Sequence, residues 1–211
     1  MARATSWVRA PWFITGFRIS VAVLASLPLL RLLWQLFTVG LGPDPAQVVV
    51  DTLGITALQV LWITLALTPL QRVTGWPGWI RVRRLLGLYA FFYAVLHVLA
   101  FLQFIVGWQD LWASFTERPY VIAGSISFVI LLVLAVTSPR AAMKSLGKRW
   151  KPLHRLVYIA AGAALVHFLW QARSDITEMV GYGTVLAVLL GFRVWWRVRK
   201  RPGMPASRKN D

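Results

Sequence analysis

No cysteine occurs in the 211 residues. Disulfides, c-type haem attachment and thiolate metal sites are therefore excluded. Charge is scarce too. Only 14% of residues are charged and only seven are acidic, where a soluble domain carries about a quarter charged residues. Histidine is limited to His97, His154 and His167. Any chemistry that needs imidazole must be done by these three. No dinucleotide-binding glycine fingerprint is present, since Gly181-Tyr182-Gly183 lies inside an apolar run without a strand–turn–helix context.

What remains is apolar. Hydrophobic residues make up 58% of the chain and mean hydropathy is +0.62. That much apolar surface cannot hide inside a globule of this size, and lipid is its natural solvent. Six apolar runs occur, at 17–39, 52–70, 85–107, 121–138, 153–171 and 179–196. Each is near the ~20 residues that cross ~30 Å of hydrocarbon. In lipid every backbone polar group needs an internal partner, so each run is expected to be a helix. The fold class is an all-α six-transmembrane-helix bundle. Residues 1–16 form an N-terminal segment, 17–196 the membrane domain and 197–211 a basic tail. The stretch after Arg3 and Arg9 resembles a signal peptide, but it is too long and lacks a small-x-small cleavage site, so it reads as a retained first span. Turn signals separate the runs, from Gly40-Leu41-Gly42-Pro43-Asp44-Pro45 to Pro139 and Pro152. No repeat of fixed period is evident.

The net charge of +16 raises nucleic acid as a partner. Its distribution argues against that. Twenty of the 23 cations fall before the first span, in the second and fourth loops, or around the tail, whereas six of the seven acids (Asp44, Asp51, Asp110, Glu117, Asp175, Glu178) fall on the other side. This is the positive-inside pattern, and it puts both termini in the cytoplasm. The basic loops serve orientation, and no nucleic acid is expected. Ten tryptophans, Trp7, Trp12, Trp76, Trp79, Trp108, Trp112, Trp150, Trp170, Trp195 and Trp196, fall near expected membrane faces as an aromatic belt. Arg31 is within the first span, where it either snorkels outward or pairs with a polar cofactor group.

Ionisable groups in a bilayer are costly and usually functional, although a single histidine can equally be a neutral, hydrogen-bonded packing residue. Depth distinguishes these three. The third and fifth spans run parallel. His97 is 13 residues past Arg84 and His167 is 13 past His154, so each sits about 20 Å into the membrane from the same face. Matched imidazoles on two helices suit a six-coordinate haem iron. Ala160, Ala161, Gly162, Ala163 and Ala164 leave room for a flat macrocycle, or for close helix packing. His154 lies near the cytoplasmic face. Arg83 stands at its depth and, 14 residues before His97, shares that residue's face of the third span. A guanidinium is not an iron ligand. It suits a haem propionate, a flavin phosphate, a lipid headgroup or orientation alone. Thirteen residues turn an ideal helix by about 220°, so His154 and His167 should point apart unless the fifth span is irregular.

The turn Gly40–Pro45, the stretch Arg83-Arg84-Leu85-Leu86-Gly87-Leu88 up to Leu96-His97, the run Glu117-Arg118-Pro119-Tyr120, and the segment Leu146 to Tyr158 followed by His167 together resemble the MsrQ (YedZ) family of the ferric-reductase-like transmembrane superfamily. The resemblance covers residues 17 to 196. It implies a bacterial inner-membrane electron-transfer subunit, not the catalytic subunit, of a methionine sulfoxide reductase. Haem b and FMN are the implied cofactors. The implied donor is the quinone pool or a cytoplasmic flavin reductase, and the implied acceptor is the periplasmic molybdopterin subunit MsrP. His97 and His167 are the implied haem b axial ligands and metal sites, with His154 and Arg83 at a second haem or FMN on the cytoplasmic side. In the wider superfamily two spans each supply two histidines, but here Arg83 occupies the place of one. The alternatives are a ferric reductase or another cytochrome b anchor and, in another class, a small transporter or membrane scaffold.

Overall fold

A computed structural model describes residues 10–171 and 176–199. Residues 1–9 of the expected N-terminal segment 1–16, the loop residues Arg173 and Asp175, and most of the tail lie outside the described residues. The described chain is all helical: α1 (Pro11–Thr38), α2 (Pro45–Thr74), α3 (Gly78–Phe101), α4 (Leu111–Glu117), α5 (Pro119–Val136), α6 (Arg140–Leu146), α7 (Trp150–His154), α8 (Val157–Gln171) and α9 (Ile176–Arg199). A π-helical turn, Leu102–Val106, extends α3 and ends at Gly107, whose φ of 82° favours glycine.

Five single helices are long and apolar enough to cross a membrane: α1, α2, α3 with its π turn, α5 and α9. Arg140–His154 with Val157–Gln171 makes a sixth if that pair, bent by 44°, is one span. The fifth span, expected at 153–171, is broken between His154 and Val157. Leu156 N–H donates to Leu153 O and Tyr158 N–H to Arg155 O, both i→i−3 bonds of a tightened turn. That turn interrupts the regular helix between His154 and His167.

Local chemistry explains the helix ends. Asp44 caps α2 by accepting from Gln47 N–H at 3.1 Å, and Pro45 occupies the first turn, where no N–H is needed. Gly75 closes α2 in the left-handed conformation, φ 70°. Two prolines interrupt long helices, and each is repaired by a side chain from elsewhere. At Pro28 in α1, the Tyr93 hydroxyl donates to Ala25 O (2.7 Å) and accepts from Leu29 N–H (3.3 Å). These groups would pair with each other in an unbroken turn. At Pro69 in α2, the missing N–H leaves Leu65 O without its intrahelical donor. The guanidinium of Arg193 on α9 donates to it.

The core runs down the middle of the bundle. α2 packs most extensively on α3, and α5 on α8. Ala90, Ala160 and Ala161 have no exposure, which lets the helices approach closely. Ser127 on α5 donates to Ala160 O on α8 at 2.9 Å. α9 is tied to α2 by Trp62 Nε1 donating to Tyr182 O (3.1 Å) and Gln59 to the Tyr182 hydroxyl (2.8 Å). Outer surfaces are as apolar as inner ones: Val23, Leu30, Ile126, Val129 and Val188 are all exposed. Such faces need lipid. Trp12, Trp108, Trp112, Trp170 and Trp195 are exposed near helix ends, as a belt requires. Arg31 is exposed on α1, which fits snorkelling rather than pairing within the bundle.

Tyr93→Phe removes the hydroxyl that bridges Ala25 and Leu29 and leaves two backbone groups unpaired in a dry interior. It should lower stability by about 1–3 kcal/mol, read as a lower unfolding temperature in detergent. An unchanged unfolding temperature would show that α1 repairs its own turn.

Candidate functional site

The third and fifth spans meet at their histidines. His97 is four residues from the end of α3 and His167 four from the end of α8. Their ring centroids are 6.1 Å apart and their planes are inclined at 79°. Each ring is held by its Nδ1 against a backbone carbonyl of a neighbouring helix, His97 to Val50 O on α2 at 2.9 Å and His167 to Tyr120 O on α5 at 2.7 Å. A carbonyl can only accept, so Nδ1 carries the proton in both neutral rings and Nε2 keeps its lone pair. The anchors dictate the tautomer that leaves Nε2 free to coordinate a metal.

Each ring also lies against a glycine. A Cβ at Gly54 would come within 2.8 Å of His97 Nδ1, and one at Gly124 within 2.8 Å of His167 Nδ1. The two half-sites are built alike. In each, a carbonyl stands 47 residues before the histidine and a glycine one helical turn after that carbonyl. Val50, Gly54 and His97 on α2 and α3 recur about 70 residues later as Tyr120, Gly124 and His167 on α5 and α8. The chain thus contains a repeat that composition and apolar patterning do not display.

Between the half-sites lies a cavity of about 660 Å³. Its inner walls are apolar, with Leu61, Phe101, Phe128 and Leu131, and His97 and His167 both line it. Towards the acidic end it becomes polar. There Asp51 accepts from Gln47 Nε2 (2.8 Å) and Gln171 Nε2 (3.2 Å), and Arg118 and Glu178 also line the wall.

The other two expected site residues lie elsewhere. His154, at the end of α7, is stacked on Trp150 with ring centroids 4.0 Å apart, and its Nδ1 is 3.3 Å from Trp150 O. Its Nε2 is buried without a partner. Arg83 donates to Thr68 Oγ1 on α2 at 3.4 Å. Arg83 and His97 both reach α2, as a shared face of α3 requires. Neither Arg83 nor His154 lines the cavity. His154 and His167 serve different neighbours, which answers the mismatch in helical phase. Gly54, Gly124 and the carbonyl anchors were missed by sequence reasoning, because a lone glycine in an apolar helix reads as packing. The usable signal was the equal spacing from glycine to histidine in the two halves.

The family described as "Ferric reductase like transmembrane component" matches residues 53–165. A curated relative, the "Protein-methionine-sulfoxide reductase heme-binding subunit MsrQ" of Bordetella pertussis, is 39% identical over 204 residues, which span 94% of this chain and 95% of the relative. The chain belongs to the MsrQ family of ferric-reductase-like transmembrane proteins. As a member of the MsrQ family it is a multi-pass membrane protein, in keeping with its apolar helices. The matched region takes in Gly54, His97, Gly124 and His154, and the MsrQ relative spans His167 as well.

Proposed function

We propose that this protein is a haem b subunit of the inner membrane that relays electrons to a periplasmic molybdopterin partner of the MsrP type. That partner in turn reduces methionine sulfoxide in oxidised proteins. The observation that carries this reading is the pair of carbonyl-anchored imidazoles across one apolar cavity. The residues fit haem. Two imidazoles with Nε2 free to coordinate stand on separate helices with ring centroids 6.1 Å apart, and both line one apolar cavity. The name of the B. pertussis relative supports haem binding and the methionine-sulfoxide system.

Haem supplies a one-electron carrier whose potential depends on axial ligands and burial. The protein's residues do the positioning. Val50 and Tyr120 fix the ring tautomers, Gly54 and Gly124 leave the space that the ring edges occupy, and the apolar walls exclude water. With two of the three histidines paired, His154 has no histidine partner, so a second bis-histidine haem does not fit. FMN near Arg83 and His154, and a quinone or flavin-reductase donor, are supported by the resemblance alone. The charge distribution supports cytoplasmic termini. Electrons then pass from the basic, cytoplasmic end to the acidic end, where residues 40–51 and 108–119 offer the docking surface. The remaining loop, 172–178, lies largely outside the described residues.

The test is an absorption spectrum of purified protein, oxidised and then reduced with dithionite. A sharp b-type α-band on reduction is expected. A colourless protein, prepared with haem in excess, would eliminate the cytochrome reading and bring forward a transporter or scaffold.

A further inference from the structure

The basic end of the bundle holds a group of guanidiniums with no acid among them. Arg193 on α9 has 6% of its surface exposed. Its two terminal nitrogens reach Leu65 O and Leu189 O, its guanidinium carbon lies 5.3 Å over the Tyr158 ring, and its Nε is buried without a partner. Arg83 from α3 reaches Thr68. Arg72 at the end of α2 lies 5.6 Å over the Trp196 ring, and its Nη1 is buried without a partner.

Leu65, Thr68 and Arg72 are spaced i, i+3, i+7 along α2, so one stripe about 10 Å long brings all three guanidiniums together. Arg193 is within electrostatic range of both Arg83 and Arg72, and His154 of Arg83. The described acids, Asp44, Asp51, Asp110, Glu117 and Glu178, all belong to the opposite end. Orientation in a membrane needs cations in loops. It does not need one buried between α2, α8 and α9, where an unpaired charge is costly.

We propose that Arg72, Arg83 and Arg193 form an anion site that takes a phosphate group between α2, α3 and α9. Phosphate offers three strong acceptors and close to two negative charges, which suits planar guanidiniums presented from separate helices. Its source is either a free phosphate compound or an anionic lipid headgroup. This goes beyond the haem reading and does not depend on it.

The test uses the full chain in nanodiscs of phosphatidylcholine alone. Inorganic phosphate is titrated at constant ionic strength against chloride, and tryptophan fluorescence is read, with Trp196 as the reporter over Arg72. A saturable change is expected with phosphate and not with chloride. Its Kd should rise about tenfold in R72Q and in R83Q, as loss of one charge-assisted hydrogen bond implies. These variants avoid Arg193, whose guanidinium also holds α9 to α2. In a second arm, protein taken from membranes containing phosphatidylglycerol is examined by native mass spectrometry. If free phosphate does nothing but wild type retains phosphatidylglycerol and both variants lose it, the phosphate belongs to a lipid. If neither arm depends on the arginines, the proposal is overturned. Neither arm reads haem colour, so failure here and failure of the cytochrome reading remain distinct.

Discussion

His97→Ala and His167→Ala should each abolish the sharp b-type α-band of the reduced protein. The two rings are 6.1 Å apart on α3 and α8 and each presents Nε2 without a hydrogen-bond partner among the described residues. A six-coordinate iron needs both. Removal of either leaves at most five-coordinate, high-spin haem, with a broadened spectrum and lower haem content. The effect should be near complete and equal at the two positions, because the half-sites are built alike. The helices should survive. Val50 O and Tyr120 O lie in regular helix and keep their backbone donors when the imidazole is removed. His154→Ala is the contrast, since His154 does not line the cavity. It should retain the low-spin band. A sharp low-spin spectrum surviving in both His97→Ala and His167→Ala would place the haem elsewhere.

Gly54→Ala and Gly124→Ala should act almost as strongly without touching a ligand. In each the new Cβ meets a histidine Nδ1 at 2.8 Å, closer than side-chain carbons pack. The ring cannot yield slightly, because that same nitrogen is bonded to a carbonyl one turn away. It must swing, break its anchor and lose the tautomer that keeps Nε2 free. Loss of such supporting contacts typically costs about 10–100-fold in metal affinity. The sign is informative because glycine to alanine in a helix interior favours the helix itself by roughly 1 kcal/mol. Lower haem content with undiminished helix content and thermal stability is therefore the expected result, measured as haem per protein in titration. Full haem content in either variant would show that the carbonyl anchors are not needed.

Some of this was legible in the chain. Run length and the impossibility of unpaired backbone in lipid dictate helices. The segregation of basic from acidic residues gives the bundle two distinct ends, and equal distances of His97 from Arg84 and of His167 from His154 give matched depths, because helical rise per residue is constant. Other features depend on two segments meeting. Whether Arg83 faces α2, whether Gly54 lies under His97, and whether His154 and His167 share a face are questions of rotation and partner choice. They are settled by helix packing, and a single tightened turn at Arg155–Leu156 is enough to change the answer. The duplicated half-site escaped notice for a related reason. Its members are one carbonyl, one glycine and one histidine spread over two helices, and a carbonyl has no side chain to mark it in a sequence.

Composition, periodicity and charge placement by themselves determined an all-helical membrane protein, the sites of its spans and the depth of its histidines, because these follow from the solvent and from rise per residue. Only the tertiary structure decided that two of the three histidines share a cavity, which tautomer each holds, and that Arg193 lies buried beside Arg72 and Arg83 far from any described carboxylate. Those facts follow from which helix faces pack together, and packing is a property of pairs of segments that no single segment records.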